Sequence, residues 1–154
     1  MNTELKQRWF EDYRAGESFE FGQYTVTQEE IIEFSQKYDP QYFHTDPQAA
    51  KESLYGGLIA SGWMSGAIAM RMMCDHFISQ VSGMGSPGVD RLRWILPVRA
   101  GDTLHMRVTV TEARRSQSKP DRGVITLSQE MINQHGQVVM SLESKGLHRL
   151  RIAS

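Results

Sequence analysis

Apolar and polar residues alternate along residues 103–115, with Leu104, Met106, Val108 and Val110 on the apolar side. An alternation with a period of two predicts a β-strand that is buried on one face and solvent-facing on the other. Further strands are predicted at residues 18–27 with a kink at Gly22, at residues 89–96, and on both sides of a hairpin turn at His135-Gly136.

Cap signals predict a helix after the first of these strands. Thr27, with Glu30 three residues later, forms a capping-box pattern, and an apolar stretch continues the helix toward Tyr38. Pro40 disfavours helical geometry at the residue before it, so we expect this helix to end near Asp39.

Two more helices are predicted before the remaining strands. Asp46 and Pro47 suit the N-cap and first position of a short helix that extends to about Glu52. From Ser61, a long helix should continue to about Val81. Its first three turns carry apolar or small residues on every face, which is typical of a helix that is buried all round.

The order of elements favours an α+β fold, in which a curved antiparallel sheet wraps one long central helix. We expect residues 1–154 to form a single domain, with residues 1–16 as a leading segment that packs onto it through Trp9, Phe10 and Tyr13. Such a sheet leaves its edge strands open. A homodimer that joins two sheets edge to edge, or a higher homo-oligomer, would cover them.

Charge and composition narrow the range of partners. The 17 Lys and Arg residues nearly balance the 18 Asp and Glu residues, so bulk electrostatics would not hold the chain on nucleic acid or a membrane. The N-terminus has no apolar signal segment, and the longest apolar run, residues 63–74, is too short to span a bilayer. The single cysteine, Cys74, permits no intrachain disulfide. We expect a cytoplasmic protein.

The candidate chemistry begins with Asp39 and His44. A continuous helix would place these residues roughly 140° apart, but Pro40 ends the helix, and a loop can turn both side chains toward one point. Unpaired carbonyls at the helix end and apolar walls from Tyr42 and Phe43 predict a raised pKa for Asp39. An acid of that kind beside an imidazole is a usable general acid/base pair.

A glycine-rich loop at residues 55–62 leads into the long helix at Ser61 and Gly62. The first N–H groups of a helix have no intrahelical acceptor, and Gly62 has no side chain to block approach. This geometry suits an oxyanion hole for the enolate oxygen of a thioester.

The stretches "YDPQYFHTDPQAA…GGLIASGWM" and "LRWILPVRAGDTL" resemble the MaoC-like acyl dehydratases, relatives of the (R)-specific enoyl-CoA hydratases, over roughly residues 8–150. The resemblance implies the hotdog fold, a dimer and CoA thioester substrates. By position, Asp39 and His44 match the catalytic acid and histidine, and Gly62 matches the oxyanion glycine. The implied reaction is reversible hydration of a 2-enoyl thioester, with no metal or redox cofactor and with CoA only as part of the substrate.

The chain departs from the family pattern at three places. Gln41-Tyr42 stands where many members have Asn-Pro, Ser61 stands before the glycine in place of His, and Met70 aligns with a serine that orients the aspartate in some relatives. Ser65 is a candidate to replace that serine. The side chains expected to contact substrate are Tyr42, Phe43, Ser61 and Trp63.

Alternatives remain open from the sequence. Asp39 could be a turn residue, His44 a backbone-bonded core histidine, and Ser61 a helix cap. The basic loop at residues 112–123 is a solvated hairpin or a contact for CoA phosphates. A thioesterase on the same fold and a non-catalytic acyl-CoA-binding subunit are the rival functions. The histidines without metal spacing, expected to be structural or exposed, are His76, His105, His135 and His148. Cys74 and the methionines at 64, 70, 72 and 73 are expected to be unreactive core residues.

Overall fold

The structure is a computed structural model that describes residues 4–152, so the first three and last two residues of the expected domain lie outside it. Two short 3₁₀ turns span Leu5–Gln7 and Phe10–Asp12. The helices are α1 (Gln28–Tyr38), α2 (Tyr42–Thr45), α3 (Pro47–Ala50) and α4 (Gly62–His76). The strands are β1 (Ser18–Thr25), β2 (Gly88–Trp94), β3 (Thr103–Arg115), β4 (Arg122–Ile132) and β5 (Val138–Arg149).

The five strands form one antiparallel sheet in the order β1-β3-β4-β5-β2. α4 packs against β1 and β3, so the sheet wraps the long helix. The predicted α+β architecture, a hotdog arrangement, is confirmed. β1 and β2 lie at the two edges of the sheet, and β2 leads directly into the site described below.

The period-two pattern of β3 is also confirmed. Its four predicted inward residues are completely buried, because they face α4 across the core. The kink predicted at Gly22 lies where the pairing of β1 with β3 shifts register. Gly22 has φ +90°, and a Cβ there would lie 2.5 Å from Sδ of Met72. Glycine thus allows β1 to bend and α4 to approach it closely.

The cap signals before the site are borne out. Thr27 and Glu30 form the capping box of α1, and Asp39 is its C-cap. Asp46 caps α3 by accepting hydrogen bonds from the amides of Gln48 and Ala49. α3 ends at Ala50, two residues earlier than predicted. The one-turn helix α2 was not predicted, and it carries His44.

Two predictions about α4 are wrong. The helix ends at His76 and not near Val81. It is buried on one face only, because the sheet and α1 pack against one side of it and side chains on the other side are exposed. Trp63 is 62% exposed and Met70 is 55% exposed. Cys74 is exposed as well, so neither it nor Met70 is a core residue.

The leading segment lies against the end of the sheet remote from the start of α4. Leu5, Phe10 and Tyr13 are buried, and Trp9 is half-buried. Phe10 packs on β4 at Gly123, where a Cβ would collide with its ring. The leading segment therefore packs onto the sheet through these side chains, as expected from the sequence.

A second buried histidine lies in this region. The Ser82 hydroxyl donates to the backbone carbonyl of Arg8 and therefore accepts from Nδ1–H of His148, with 3.0 Å between Oγ and Nδ1. The Tyr13 ring packs on the imidazole at a centroid distance of 4.8 Å. Burial lowers the pKa of His148 to about 4. His148 is therefore a neutral, structural residue at physiological pH.

Candidate active site

The Asp39 carboxylate is held from three sides. Gln41 Nε2 donates to Oδ1 at 2.7 Å, and the Ser61 hydroxyl donates to Oδ2 at 2.7 Å. His44 Nε2 lies 3.3 Å from the same Oδ2 atom. Asp39 and His44 thus lie side by side after the proline-ended helix, and Ser61, at the start of α4, contacts the same carboxylate.

The orientation of His44 follows from its other nitrogen. Nδ1 lies 2.7 Å from the carbonyl oxygen of Ile59, and because a carbonyl can only accept, Nδ1 carries a proton. Nε2 therefore faces Asp39. At 3.3 Å from Oδ2, Nε2 is placed to exchange a proton with the Asp39 carboxylate.

The pKa of Asp39 shifts in the direction opposite to the prediction. Burial alone would raise this pKa, but the hydrogen bonds from Gln41 and Ser61 and the nearby His44 imidazole outweigh burial and hold the pKa below its usual value. The predicted rise in pKa rested on the helix end and the aromatic neighbours alone. The hydrogen-bond donors of Gln41 and Ser61 lower the pKa of Asp39 instead.

Ser61 connects the acid to the start of α4. Its hydroxyl donates to Asp39 and accepts from the amide of Trp63, so it caps the 15-residue helix as well. Within residues 4–152, the Gly62 amide has no hydrogen-bond acceptor. The free N–H at the positive end of this helix is available to a ligand.

Trp94, which the sequence analysis did not single out, lies against Gly62. Its indole N–H donates to the Gly62 carbonyl at 2.9 Å, and a Cβ at Gly62 would collide with the indole. Trp63 packs edge-on against the Trp94 ring at 5.1 Å between centroids. Glycine is therefore required at position 62 by a close neighbour in the chain. The only signal in the sequence was the aromatic residue within the "LRWILP" stretch.

A cavity of about 430 Å³ joins these groups. Asp39, Gln41, His44 and Gly62 line it, together with Ser65. Phe43 and Trp63, two of the expected substrate contacts, also form part of its wall, and so do Tyr55, Trp94, Ile95 and Leu96. The Asp39–His44 pair and the free Gly62 amide therefore face one cavity with largely apolar walls.

Two predicted contacts are placed differently. Tyr42 is not among the residues that line the cavity; it is half exposed and packs edge-on against Phe43. Ser61 is completely buried, is not among the residues that line the cavity, and donates a hydrogen bond to the Asp39 carboxylate. Ser65 lines the cavity, but the serine that donates a hydrogen bond to the Asp39 carboxylate is Ser61.

The basic hairpin lies far from this cavity within the chain. Arg122 pairs with Arg149 at one end of β5, whereas Val139 lines the cavity near the other end. Ten residues of strand separate the two positions by roughly 30 Å. Arg122 forms an ion pair with Asp121, and Arg114 with Glu112. This geometry favours a solvated hairpin.

Within residues 4–152, no group of three or more His, Cys, Asp and Glu side chains has the geometry of a metal site. Over the same part of the chain, every helix is too short or too polar to cross a bilayer.

Comparison with known proteins places these features in a family. The family model described as "MaoC like domain" matches residues 11–131. Protein MaoC of Klebsiella aerogenes is 31% identical over 104 residues, which cover 67% of this chain but only 30% of that protein. The chain therefore spans about a third of the length of this relative.

Solved structures agree with this placement. The MaoC-like dehydratase from Rhodospirillum rubrum is 35% identical, with a TM-score of 0.87 over 94% of this chain and 99% of that one. An (R)-hydratase from Pseudomonas aeruginosa shares the fold, with a TM-score of 0.74 at 20% identity over 93% of this chain and 86% of that one. The chain belongs to the MaoC-like dehydratase family.

Proposed function

We propose that this protein is a hydro-lyase that adds or removes water at the 2,3-double bond of an enoyl-CoA or 3-hydroxyacyl-CoA thioester. The observation that carries the proposal is that the Asp39–His44 pair and the free Gly62 amide face one cavity. Membership of a family of dehydratases and hydratases supports the reaction class.

In the hydration direction, the thioester carbonyl oxygen accepts a hydrogen bond from the Gly62 N–H. Water attacks Cβ, a C–O bond forms there, and negative charge develops on the carbonyl oxygen as an enolate. The amide and the positive end of α4 stabilise this charge. The Asp39–His44 pair takes a proton from the water and returns one to Cα, so the pair is restored after each turnover.

The proposal needs neither a metal nor a redox cofactor, because hydration is redox-neutral and the pair supplies both acid and base. The apolar wall of the cavity, which includes Phe43, Tyr55 and Trp63, suits the acyl chain. Phe43 and Trp63 therefore serve as substrate contacts. Tyr42 does not line the cavity and acts on the substrate only through Phe43, against which it packs.

We also propose that residues 1–154 form one domain, that the protein acts in the cytoplasm, and that it works as a homodimer. Edge strand β2, the two residues that follow it and the outer face of α4 expose large apolar side chains. A second copy seated on this face would cover these side chains and would close the cavity, which several of the same residues line. The exposed residues are Trp63, Met70, Val89, Trp94, Ile95 and Leu96.

The assay incubates the protein with short and medium 2-enoyl-CoAs and follows the loss of the conjugated-thioester absorbance. Turnover supports the proposal if it disappears in Asp39→Asn and His44→Gln while both variants stay folded. Full activity in both variants would refute it. A thioesterase would instead release free CoA thiol, and a non-catalytic binding subunit would be stabilised by acyl-CoA without turnover.

A further inference from the structure

We propose that Gln41 is a positioning residue, whose side-chain amide fixes the Asp39 carboxylate so that its second oxygen stays directed at His44. This role rests on the proposed hydration. It concerns the position at which the chain departs from the Asn-Pro pattern of its relatives.

Gln41 connects both members of the pair through separate groups. Its backbone amide donates to the Asp39 carbonyl at 2.8 Å, and its side-chain amide donates to Asp39 Oδ1 at 2.7 Å. Its own carbonyl accepts from the backbone amide of His44 at 2.9 Å. One residue therefore sets the backbone spacing between the acid and the imidazole as well as the rotation of the carboxylate.

The two oxygens of the carboxylate have different partners. Oδ1 faces Gln41, whereas Oδ2 accepts from Ser61 and lies beside His44. A primary amide donates hydrogen but does not titrate, so the Gln41 contact persists across the working pH range. With Oδ1 fixed in this way, rotation of the carboxylate would break two short hydrogen bonds at once.

This arrangement has a chemical consequence. Hydrogen bonds to a carboxylate favour its charged form, and the Gln41 donor is the largest of the lowering influences on the pKa of Asp39. The Gln41 contact therefore favours Asp39 as a carboxylate, the form that can accept a proton during turnover.

The test replaces Gln41 by Met, which has a similar length but no N–H donor. We expect kcat to fall about 10- to 100-fold and the acid limb of the kcat/KM profile to move upward by about one to two pH units, since a hydrogen bond to a charged group is lost. Gln36→Met, at an exposed position of α1, is the matched control and should leave both quantities unchanged. A fall in kcat with an unmoved acid limb would overturn the positioning role.

A second measurement keeps this inference separate from the proposed function. Carboxyl ¹³C NMR gives the pKa of Asp39 directly in wild type and in Gln41→Met, whether or not the protein hydrates any enoyl-CoA. A pKa that rises in the variant supports the inference, and an unchanged pKa contradicts it. Should Gln41→Met fail to fold, Gln41→Ala removes the same donor with less apolar surface and is titrated in its place.

Discussion

Two histidines are buried in this molecule, and their surroundings differ. His44 is 5% exposed and His148 is 8% exposed, and in each the Nδ1 atom has a hydrogen-bond partner. His44 additionally faces the Asp39 carboxylate and lines a cavity. His148 faces a serine hydroxyl and a tyrosine ring and does not line the cavity that contains His44.

The difference shows what burial does and does not supply. At His148, burial disfavours the charged imidazole and leaves a neutral group that holds the leading segment in place. At His44, an anionic partner and an open space provide a proton acceptor and room for substrate. A histidine becomes a candidate for acid/base chemistry through its carboxylate neighbour and its access to a cavity.

The largest expected effect separates the two histidines by activity. Asp39→Asn and His44→Gln should each lower kcat/KM for 2-enoyl-CoA hydration by about 10³-fold or more, because each removes half of the proton-transfer pair. His148→Gln should retain activity at pH 7 within a few-fold. Comparable losses in His148→Gln and His44→Gln, in folded protein, would contradict the different roles of the two histidines.

The Gly62 amide is a second feature that only the His44 region has. Gly62→Ala places a methyl group against the Trp94 indole and displaces the amide, so we expect kcat to fall by about 100-fold. Gly66→Ala is a matched control, since nothing lies within 4 Å of the Cβ position there. Equal activity in the two variants would show that the start of α4 takes no part in turnover.

The His148 region should instead respond to pH through stability. The pKa of His148 is about 4 in the folded protein and 6.5 as its reference value, so the unfolded chain binds the proton first as pH falls. The contribution of His148 is complete above about pH 6.5 and is lost between pH 6.5 and 4, on the order of 3 kcal/mol. Urea unfolding at pH 7 and pH 4.5 measures this loss. The same dependence in His148→Gln would assign it to another group.

The two serines give the smallest and most closely matched comparison. Ser61→Ala removes one donor from Asp39 and should lower kcat about tenfold, and Ser61→Thr should restore most of it. Ser82→Ala removes the acceptor for His148 and should cost about 1–2 kcal/mol of stability with activity retained. Kinetics and thermal unfolding of the three variants decide this. An exchange of the two outcomes would contradict the assignment.

Local chemistry explains which parts of this description could be predicted from sequence. A capping box, a proline that ends α1 and the alternation in β3 act over a few residues, and each was correctly located. The spacing of Asp39 and His44 about Pro40 belongs to the same class. One-turn helix α2 escaped prediction because four residues carry too little periodicity.

The missed features depend on contacts between distant segments. The lowered pKa of Asp39 requires Ser61, 22 residues away, as well as Gln41. Trp94 reaches Gly62 only because β2 pairs with β5 in one register. The exposed face of α4 could not be foreseen from its composition, because an apolar face suits a second subunit as well as a core.

The most direct test of the central claim follows solvent oxygen. Wild-type protein is incubated with a 2-enoyl-CoA in H₂¹⁸O, and the products are examined by mass spectrometry. We predict ¹⁸O in the 3-hydroxyl group of an intact CoA thioester, at a rate that falls about 10³-fold in folded Asp39→Asn. Label confined to the carboxylate of a released acid, or equal incorporation at C3 by wild type and the variant, would contradict it.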